Sequence, residues 1–169
     1  FDIYFSSLFY QGERQFSLQS FDIFTVLVRK IFLNFLIAYV FILPLISIYI
    51  PIRKIFFNYF FSLKDVFFIF LSGLFSLLFF INMVFKNMWG RARPNEIVQL
   101  GGKENFTPWY KISDACDINC SFVSGDASVG FFIIILYFIT KNKNYLWISF
   151  FSGGVLGLTR IAEGGHFFS

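Results

Sequence analysis

Polar residues that could do phosphate chemistry are concentrated in three short segments, residues 86–94, 122–128 and 159–166. Arginine matches the oxygens of a phosphate group in a bidentate way, and lysine adds a point charge. The third segment also contains the only histidine of the chain, His166, six residues after Arg160. A histidine side chain can act as a nucleophile or carry a proton near neutral pH. Together the three segments have the residue types needed to bind and attack phosphate.

The candidate phosphate-binding cations in these segments are Lys86, Arg91, Arg93 and Arg160. Ser124 and Gly125 stand just before an apolar stretch, where they can offer a hydroxyl group and backbone N–H groups at a helix N-terminus. Such a terminus binds phosphate through its free N–H groups and its dipole. A single lysine or arginine at a helix end is more simply explained by contact with lipid headgroups. All three segments are expected to lie on the same face of the protein, and this convergence favours a phosphate site.

The elements that must position these segments are apolar helices in a membrane. The chain has 169 residues, of which 57% are hydrophobic and 14% are charged, whereas about 25% of a soluble domain is charged. A transmembrane helix needs about 20 mostly apolar residues. We therefore predict an all-α protein with four spans, at residues 32–50, 65–85, 127–140 and 145–161. The third span is short unless residues 123–126 extend it, and Pro44 is predicted to kink the first.

The basic residues of the short connections predict how the spans are oriented. These residues are Arg53, Lys54, Lys64, Lys141 and Lys143. Lysine and arginine accumulate in cytoplasmic loops, so both connections are expected to be cytoplasmic. The loop 86–120 and His166 then lie together on the opposite face. Arg29 and Lys30 also fall on that outer face, although basic residues are expected on the cytoplasmic side.

The two cysteines lie in the polar loop between the second and third spans, as the sequence CDINC at residues 116–120. This spacing has no second cysteine pair or nearby histidine, so it does not indicate a zinc site. In an oxidising compartment Cys116 and Cys120 could form a local disulfide. Two free thiols are an equally acceptable interpretation, and the sequence leaves both open.

Two of the polar segments resemble motifs of a known family, the type 2 phosphatidic acid phosphatases (PAP2), relatives of the vanadium haloperoxidases. The first family motif, a Lys, six residues and Arg-Pro, is similar to residues 86–94, which read KNMWGRARP. The third, Ser-Arg, five residues, His, three residues and Asp, is similar to residues 159–166, which read TRIAEGGH. Its closing Asp would fall one residue past Ser169. The motif order and spacing make the resemblance specific, and it covers nearly the whole chain.

The second motif of the family, Pro-Ser-Gly-His, aligns with residues 123–126, which read VSGD. Asp126 therefore stands where the family has a histidine that protonates the leaving oxygen. An aspartate is normally ionised at neutral pH, so three interpretations stay open. The carboxyl group is kept protonated as a general acid, or the substrate has a good leaving group such as an anomeric phosphate or a diphosphate. In the third interpretation the protein is a weak or inactive phosphatase.

The resemblance implies a role for each candidate residue. His166 would attack phosphorus to form a phosphohistidine, which water then hydrolyses, and an Asp beyond Ser169 would orient its ring. Asp126 and Arg160 would be the other catalytic residues. The residues implied to hold the phosphoryl oxygens are Lys86, Arg93, Ser124, Gly125 and Arg160. Neither a metal ion nor any other cofactor is implied.

The expected function is hydrolysis of a lipid-linked phosphate monoester, with lipid A as the first candidate because the motif variant looks most like that of bacterial lipid A phosphatases. Undecaprenyl diphosphate and phosphatidate or phosphatidylglycerophosphate are the alternative substrates. An alternative of another class is a catalytically weak membrane protein that binds lipid phosphates. The net charge of +4 is too small and too scattered to indicate a nucleic-acid partner.

The resemblance also implies a location and a domain organisation. Residues 1–169 are expected to form one membrane-embedded domain, part of a six-helix bundle of which about four spans are present, with one more span at each end. The expected location is the bacterial inner membrane, with the active site facing the periplasm. The expected partners are a lipid-phosphate substrate and membrane lipids. The sequence leaves the oligomeric state open.

Overall fold

The computed structural model describes residues 1–18, 22–48, 59 and 61–169, and this part of the chain is mostly helical. Three of its helices are long and apolar enough to cross a membrane: Val26–Ser47, Leu63–Met88 and Asn144–Ala162. A shorter apolar helix covers Gly125–Thr140. The predicted all-α membrane fold is confirmed, but only three of the four predicted spans have the length of a transmembrane helix.

The chain begins with a short helix and a hairpin. Helix α1 covers Asp2–Ser7, and strands β1 (Tyr10–Gly12) and β2 (Gln15–Phe16) form an antiparallel pair. Phe16 is fully buried beneath the polar loop, in a small apolar cluster that also includes Phe167. This cluster attaches the N-terminal segment to the residues that follow His166.

The first long helix is built from three consecutive pieces. Helix α2 covers Asp22–Ile37, a wider π-helical stretch follows at Ala38–Ile42, and helix α3 covers Leu43–Ser47. The prediction of residues 32–50 placed the start too late, because the polar residues near the helix start interrupt the apolar run without ending the helix. Pro44 lies in the first turn of α3, directly after the π-helical stretch. The predicted end of the span and the basic residues Arg53 and Lys54 lie outside the described residues.

The second long helix starts at a well-defined cap. Ser62 precedes helix α4, Leu63–Gly73, and its hydroxyl oxygen accepts a hydrogen bond from the Asp65 backbone N–H at 3.2 Å. The Asp65 carboxylate in turn accepts one from the Ser62 N–H at 2.8 Å, which is a capping box. The helix continues through a π-helical stretch, Leu74–Phe85, into helix α5, Lys86–Met88. The prediction of residues 65–85 is therefore confirmed to within a few residues.

The last two apolar segments form a helical hairpin. Helices α6 (Gly125–Phe132) and α7 (Ile134–Thr140) follow each other, and α8 (Asn144–Ala162) returns beside them. At the crossing, a Cβ atom added to Gly130 would lie 2.6 Å from the Gly153 backbone. The hydroxyl group of Ser152 donates to the Gly130 carbonyl across the same contact, at 3.0 Å. Small residues thus let the two helix backbones touch, as is common where membrane helices cross.

The polar loop between the second and third apolar segments is compactly folded. It contains two short 3₁₀ helices, Pro94–Glu96 and Val98–Leu100. A disulfide bond joins Cys116 to Cys120, which resolves the two interpretations that the sequence left open. The loop lies at the end of the bundle that holds the ends of α5 and α8 and the start of α6.

Candidate active site

The turn after α8 places His166 over Arg160. The carbonyl oxygen of Arg160 accepts hydrogen bonds from the N–H groups of Gly165, at 3.0 Å, and His166, at 3.3 Å. The turn depends on Gly164, whose φ is +68°, a conformation that favours glycine. A Cβ atom there would also lie 2.5 Å from the ring of Phe16. The last turn of a rigid helix therefore fixes the histidine.

The His166 ring is held as a neutral imidazole. Its Nδ1 lies 2.5 Å from the carbonyl oxygen of Ser121. A carbonyl oxygen only accepts hydrogen bonds, so Nδ1 carries the proton and Nε2 keeps its lone pair. The residue is 4% exposed, and burial is the main reason why its pKa falls from 6.5 to about 3, although the bond to Ser121 opposes the fall. Nε2 is thus unprotonated at neutral pH, as a nucleophile must be.

Three of the predicted cations lie near this ring. The positive charges of Arg160, Lys86 and Arg93 each contribute to lowering the His166 pKa, which they can do only at short range. The Arg93 guanidinium donates to the carbonyl oxygen of Asn119 at 2.7 Å, and the Lys86 ammonium donates to the Asn119 side chain at 3.1 Å. The first and third motifs therefore meet at one place, as the sequence predicted.

The second motif forms the N-terminus of α6 beside these cations. The Ser124 hydroxyl oxygen caps the helix by accepting a hydrogen bond from the Ala127 N–H at 3.4 Å. A Cβ atom added to Gly125 would lie 3.2 Å from the Lys86 Nζ atom. The lysine side chain thus reaches the free N–H groups of the helix end, where an anion would also be favoured. The candidate residues that lie in one cluster are Lys86, Arg93, Arg160, Ser124, Gly125, Asp126 and His166.

Asp126, which stands at the position of the family histidine, is part of a network of four charges. Its carboxylate forms an ion pair with Arg29 and lies 3.8 Å from the Arg160 guanidinium. Glu163 pairs with Arg160 at 2.6 Å and lies 3.1 Å from the Arg29 Nε atom, without the alignment of a hydrogen bond. Each carboxylate thus lies between two guanidinium groups.

Sequence reasoning missed four residues of this site. They are Arg29, Asn119, Ser121 and Glu163. The one available signal was Arg29, an arginine at the outer end of a span, where the positive-inside rule does not expect it. Asn119 contacts Arg93 and Ser121 contacts His166 through backbone carbonyl groups, to which any residue type contributes equally. No residue pattern could have identified those contacts.

Arg91, one of the four candidate cations, does not belong to the site. Its side chain is fully buried and pairs with Asp2 at 2.7 Å, while its Nε atom donates to the Thr107 carbonyl at 2.8 Å. The guanidinium also lies 4.3 Å from the centre of the Phe167 ring. Burial lowers the Arg91 pKa, which the ion pair with Asp2 partly offsets. The residue fastens the loop to α1 and is structural.

The arrangement as a whole suits a phosphate group. Within the described part of the chain the cluster has four cations, two carboxylates and a neutral imidazole. Its surplus of positive charge is half-buried, where attraction to an anion is stronger than in water. Among the same described residues, no group of three His, Cys, Asp or Glu side chains could hold a metal ion. The chemistry that this set of residues offers is nucleophilic attack on a bound phosphate.

Comparison with known proteins identifies phosphatases among the proteins that this chain resembles. A model of the PAP2 superfamily matches residues 62–169. The lipid A 4'-phosphatase of Francisella tularensis subsp. novicida (strain U112) is 44% identical over 93 residues, which cover 53% of this chain and 42% of that relative. The lipid A 4'-phosphatase of Rhizobium leguminosarum is 39% identical over 66 residues, 38% of this chain and 28% of that relative. The matched part thus spans less than half of each of these proteins. No solved structure matches the chain.

Proposed function

The chain belongs to the PAP2 superfamily, and on that premise we propose that it hydrolyses a lipid-linked phosphate monoester, with lipid A as the first candidate substrate. The observation that carries the proposal is the buried, neutral imidazole of His166 beside Arg160, Lys86 and Arg93. The relatives named lipid A 4'-phosphatases support the choice of lipid. Of this substrate, the 4'-phosphate is the group to test first.

The proposed location is the bacterial inner membrane, with the site on the periplasmic face. Helix α8 begins beside Lys141 and Lys143 and ends beside the site. At about 1.5 Å per residue, its 19 residues extend across most of the hydrocarbon core. The basic connection and the site therefore lie at opposite membrane faces. Because basic connections are cytoplasmic in most membrane proteins, the site faces the other side.

The proposed first step is attack of the His166 Nε2 atom on phosphorus. The N–P bond forms as the bond from phosphorus to the lipid oxygen breaks, and the leaving oxygen takes up a proton. Water then attacks the phosphohistidine, which releases inorganic phosphate and restores the imidazole. Lys86, Arg93 and Arg160 stabilise the charge on the phosphoryl oxygens, together with the α6 N-terminus. Positioning and charge stabilisation supply most of the catalysis in phosphoryl transfer.

Asp126 is the proposed source of the proton for the leaving oxygen. Before substrate binds, its carboxylate is paired with Arg29. A phosphate that binds Arg160 competes for the cations around Asp126 and brings negative charge beside it, and both effects favour the protonated form. The proton then passes to the lipid oxygen as its bond to phosphorus breaks. If Asp126 did not donate this proton, the site would have no general acid, and only substrates with a good leaving group would react.

The test is phosphate release by the full-length protein in detergent. The substrates are lipid A, undecaprenyl diphosphate, phosphatidate and phosphatidylglycerophosphate. We expect release from lipid A to be the fastest, and His166→Asn to abolish it. Lys143→Ala is the matched control, because this exposed cation lies at the other end of α8 and should leave turnover unchanged.

Each other outcome has a distinct meaning. Faster release from another lipid of the panel would overturn the lipid A assignment but not the phosphatase. Phosphate binding without turnover of any lipid would mean that the protein is a lipid-phosphate binder, the alternative that the Asp126 position suggests. Full turnover by His166→Asn would exclude the phosphohistidine mechanism.

A further inference from the structure

We propose that the disulfide-closed turn at residues 116–120 positions the phosphate-binding side chains, and that Asn119 is the positioning residue within it. The turn lies in the polar loop, and sequence reasoning gave it no role. This inference rests on the proposed function, since the side chains it positions are those assigned to phosphate. It predicts that turnover depends on the oxidised form of the Cys116–Cys120 pair.

Asn119 contacts two of the three cations around His166. Its side-chain oxygen accepts a hydrogen bond from the Lys86 ammonium at 3.1 Å, and its backbone carbonyl accepts one from the Arg93 guanidinium at 2.7 Å. Both partners come from the first motif, more than 25 residues earlier in the chain. A single residue therefore sets where two phosphate-binding groups lie.

The next two residues extend the same contact to the rest of the site. The Cys120 N–H donates to the Lys86 carbonyl at 3.0 Å, and the Ser121 N–H donates to the Arg91 carbonyl at 2.9 Å. The Ser121 carbonyl then accepts the hydrogen bond from His166. Residues 119–121 thus lie along the first motif and contact the nucleophile. A shift of this short segment would displace the cations and the imidazole together.

The residue type at position 119 suits this task. An amide oxygen accepts a hydrogen bond from the lysine without neutralising its charge, whereas a carboxylate would form an ion pair and compete with phosphate. The backbone of Asn119 has a φ of +56°, and asparagine tolerates this left-handed conformation better than most residues. The side chain therefore orients Lys86 and leaves its full positive charge available to an anion.

The disulfide is what holds the turn closed. Cys120 is fully buried beside the first motif, whereas Ile118, at the tip of the turn, is 80% exposed. An exposed tip with few apolar contacts opens easily unless something constrains it. A phosphine reductant breaks the Sγ–Sγ bond by giving two electrons, two protons complete the thiols, and the phosphine becomes its oxide with oxygen from water. The reduced turn would then leave Asn119 free to move away from both cations.

The first test compares the full-length protein before and after reduction with a phosphine. Turnover of lipid A and binding of inorganic phosphate are measured, the latter by its protection of His166 against alkylation. We expect reduction to raise KM about tenfold, because the cations lose charged hydrogen bonds, with a smaller change in kcat and a matching loss of phosphate binding. The control is Cys116→Ala/Cys120→Ala, on which the reductant should have no further effect.

The second test needs no reductant and isolates the side chain. Asn119→Gly keeps the backbone conformation and the carbonyl contact with Arg93, but removes the acceptor for Lys86. Asn119→Asp keeps the acceptor but adds a negative charge. We expect both to raise KM about tenfold, with Asn119→Asp the more harmful at low ionic strength. Asn105→Gly, an exposed asparagine of the same loop, is the matched control and should change neither constant.

The outcomes separate this inference from the proposed function. If the wild type turns over lipid and neither reduction nor Asn119→Gly changes KM or phosphate binding, the positioning role is wrong and the phosphatase stands. If the wild type turns over no lipid but loses phosphate binding on reduction, the positioning role stands and the proposed function fails. If Asn119→Gly lost kcat only in proportion to its loss of folded protein, the turn would have a structural role alone. That result would also overturn the inference.

Discussion

Asp126 is the residue that departs from the family pattern, which has a histidine at this position. The sequence alone left three interpretations for this aspartate, and the structure adds that it lies between the guanidinium groups of Arg29 and Arg160. An arginine pair was not foreseeable, because Arg29 is 97 residues away in the chain. Residues of one motif can be predicted to act together from their spacing, but a partner from another helix is determined by packing. The same reason explains why Glu163 was missed.

The general-acid role of Asp126 can be tested with leaving groups of different quality. We expect Asp126→Asn to lower kcat by about 10²-fold or more for an alkyl phosphate, whose leaving oxygen needs a proton. For an aryl phosphate, whose leaving group is stable without a proton, kcat should change little. Steady-state phosphate release measures both. Glu163→Gln removes the other carboxylate and should affect the two substrates alike, and an equal loss for both substrates in Asp126→Asn would rule out proton donation.

The contribution of Arg29 to substrate binding can be tested separately. Arg29 shares the carboxylates of Asp126 and Glu163 with Arg160. Without Arg29, both carboxylates would bind Arg160 more strongly and compete with phosphate for it. We expect Arg29→Gln to raise KM about tenfold with a smaller change in kcat. Lys30→Gln is the matched control, since Lys30 is the exposed neighbour on the same helix. Identical kinetics in the two variants would show that Arg29 has no part in the site.

The helices were predicted with uneven success, and the reason lies in what defines their ends. The second long helix begins at Leu63, directly after Ser62, and its bounds were close to those predicted. The residue types of the Ser62–Asp65 cap are visible in the sequence. The first begins among polar residues, so a search for apolar runs placed its start about ten residues too late, at residue 32 instead of Asp22. The π-helical stretches have no pattern by which they could have been predicted.

The contact between α6 and α8 positions the second and third motifs and can be tested through its glycines. We expect Gly130→Ala to destabilise the protein by roughly 1–3 kcal/mol, because the added Cβ atom would overlap the Gly153 backbone. Gly154→Ala is the matched control, since no atom lies within 4 Å of its added Cβ. It should be neutral or stabilising by up to about 1 kcal/mol. Thermal unfolding in detergent measures both, and an equal Tm in the two variants would contradict this packing.

At the scale of the whole molecule, the ends of four helical segments bring the candidate residues together. Arg29 is near the start of the first long helix, Lys86 near the end of the second, Gly125 at the start of α6 and Arg160 near the end of α8. Consecutive spans cross a membrane in opposite directions. Counting the spans therefore places these four helix ends on the same face. The proximity of the candidate residues could therefore be predicted from topology and motifs without knowledge of a single contact, whereas their catalytic roles stay a prediction.

The proposed orientation predicts which face is accessible in intact cells. In spheroplasts that express the full-length protein, a membrane-impermeant maleimide should label Ile112→Cys, which replaces an exposed residue of the polar loop. It should label Asn142→Cys, between α7 and α8, only after the membrane is permeabilised. The native cysteines are joined and do not react. Labelling of Asn142→Cys alone in intact spheroplasts would mean that the site faces the cytoplasm.

The central claim is that His166 is the nucleophile, and trapping the intermediate tests it most directly. The full-length protein is mixed with its lipid-phosphate substrate, quenched in alkaline denaturant within the first turnover, digested and analysed by mass spectrometry. We predict a phosphoryl group on the peptide that contains His166 in the wild type, and none in His166→Asn. Turnover with the phosphoryl group on another residue, or undiminished turnover by His166→Asn, would contradict the account.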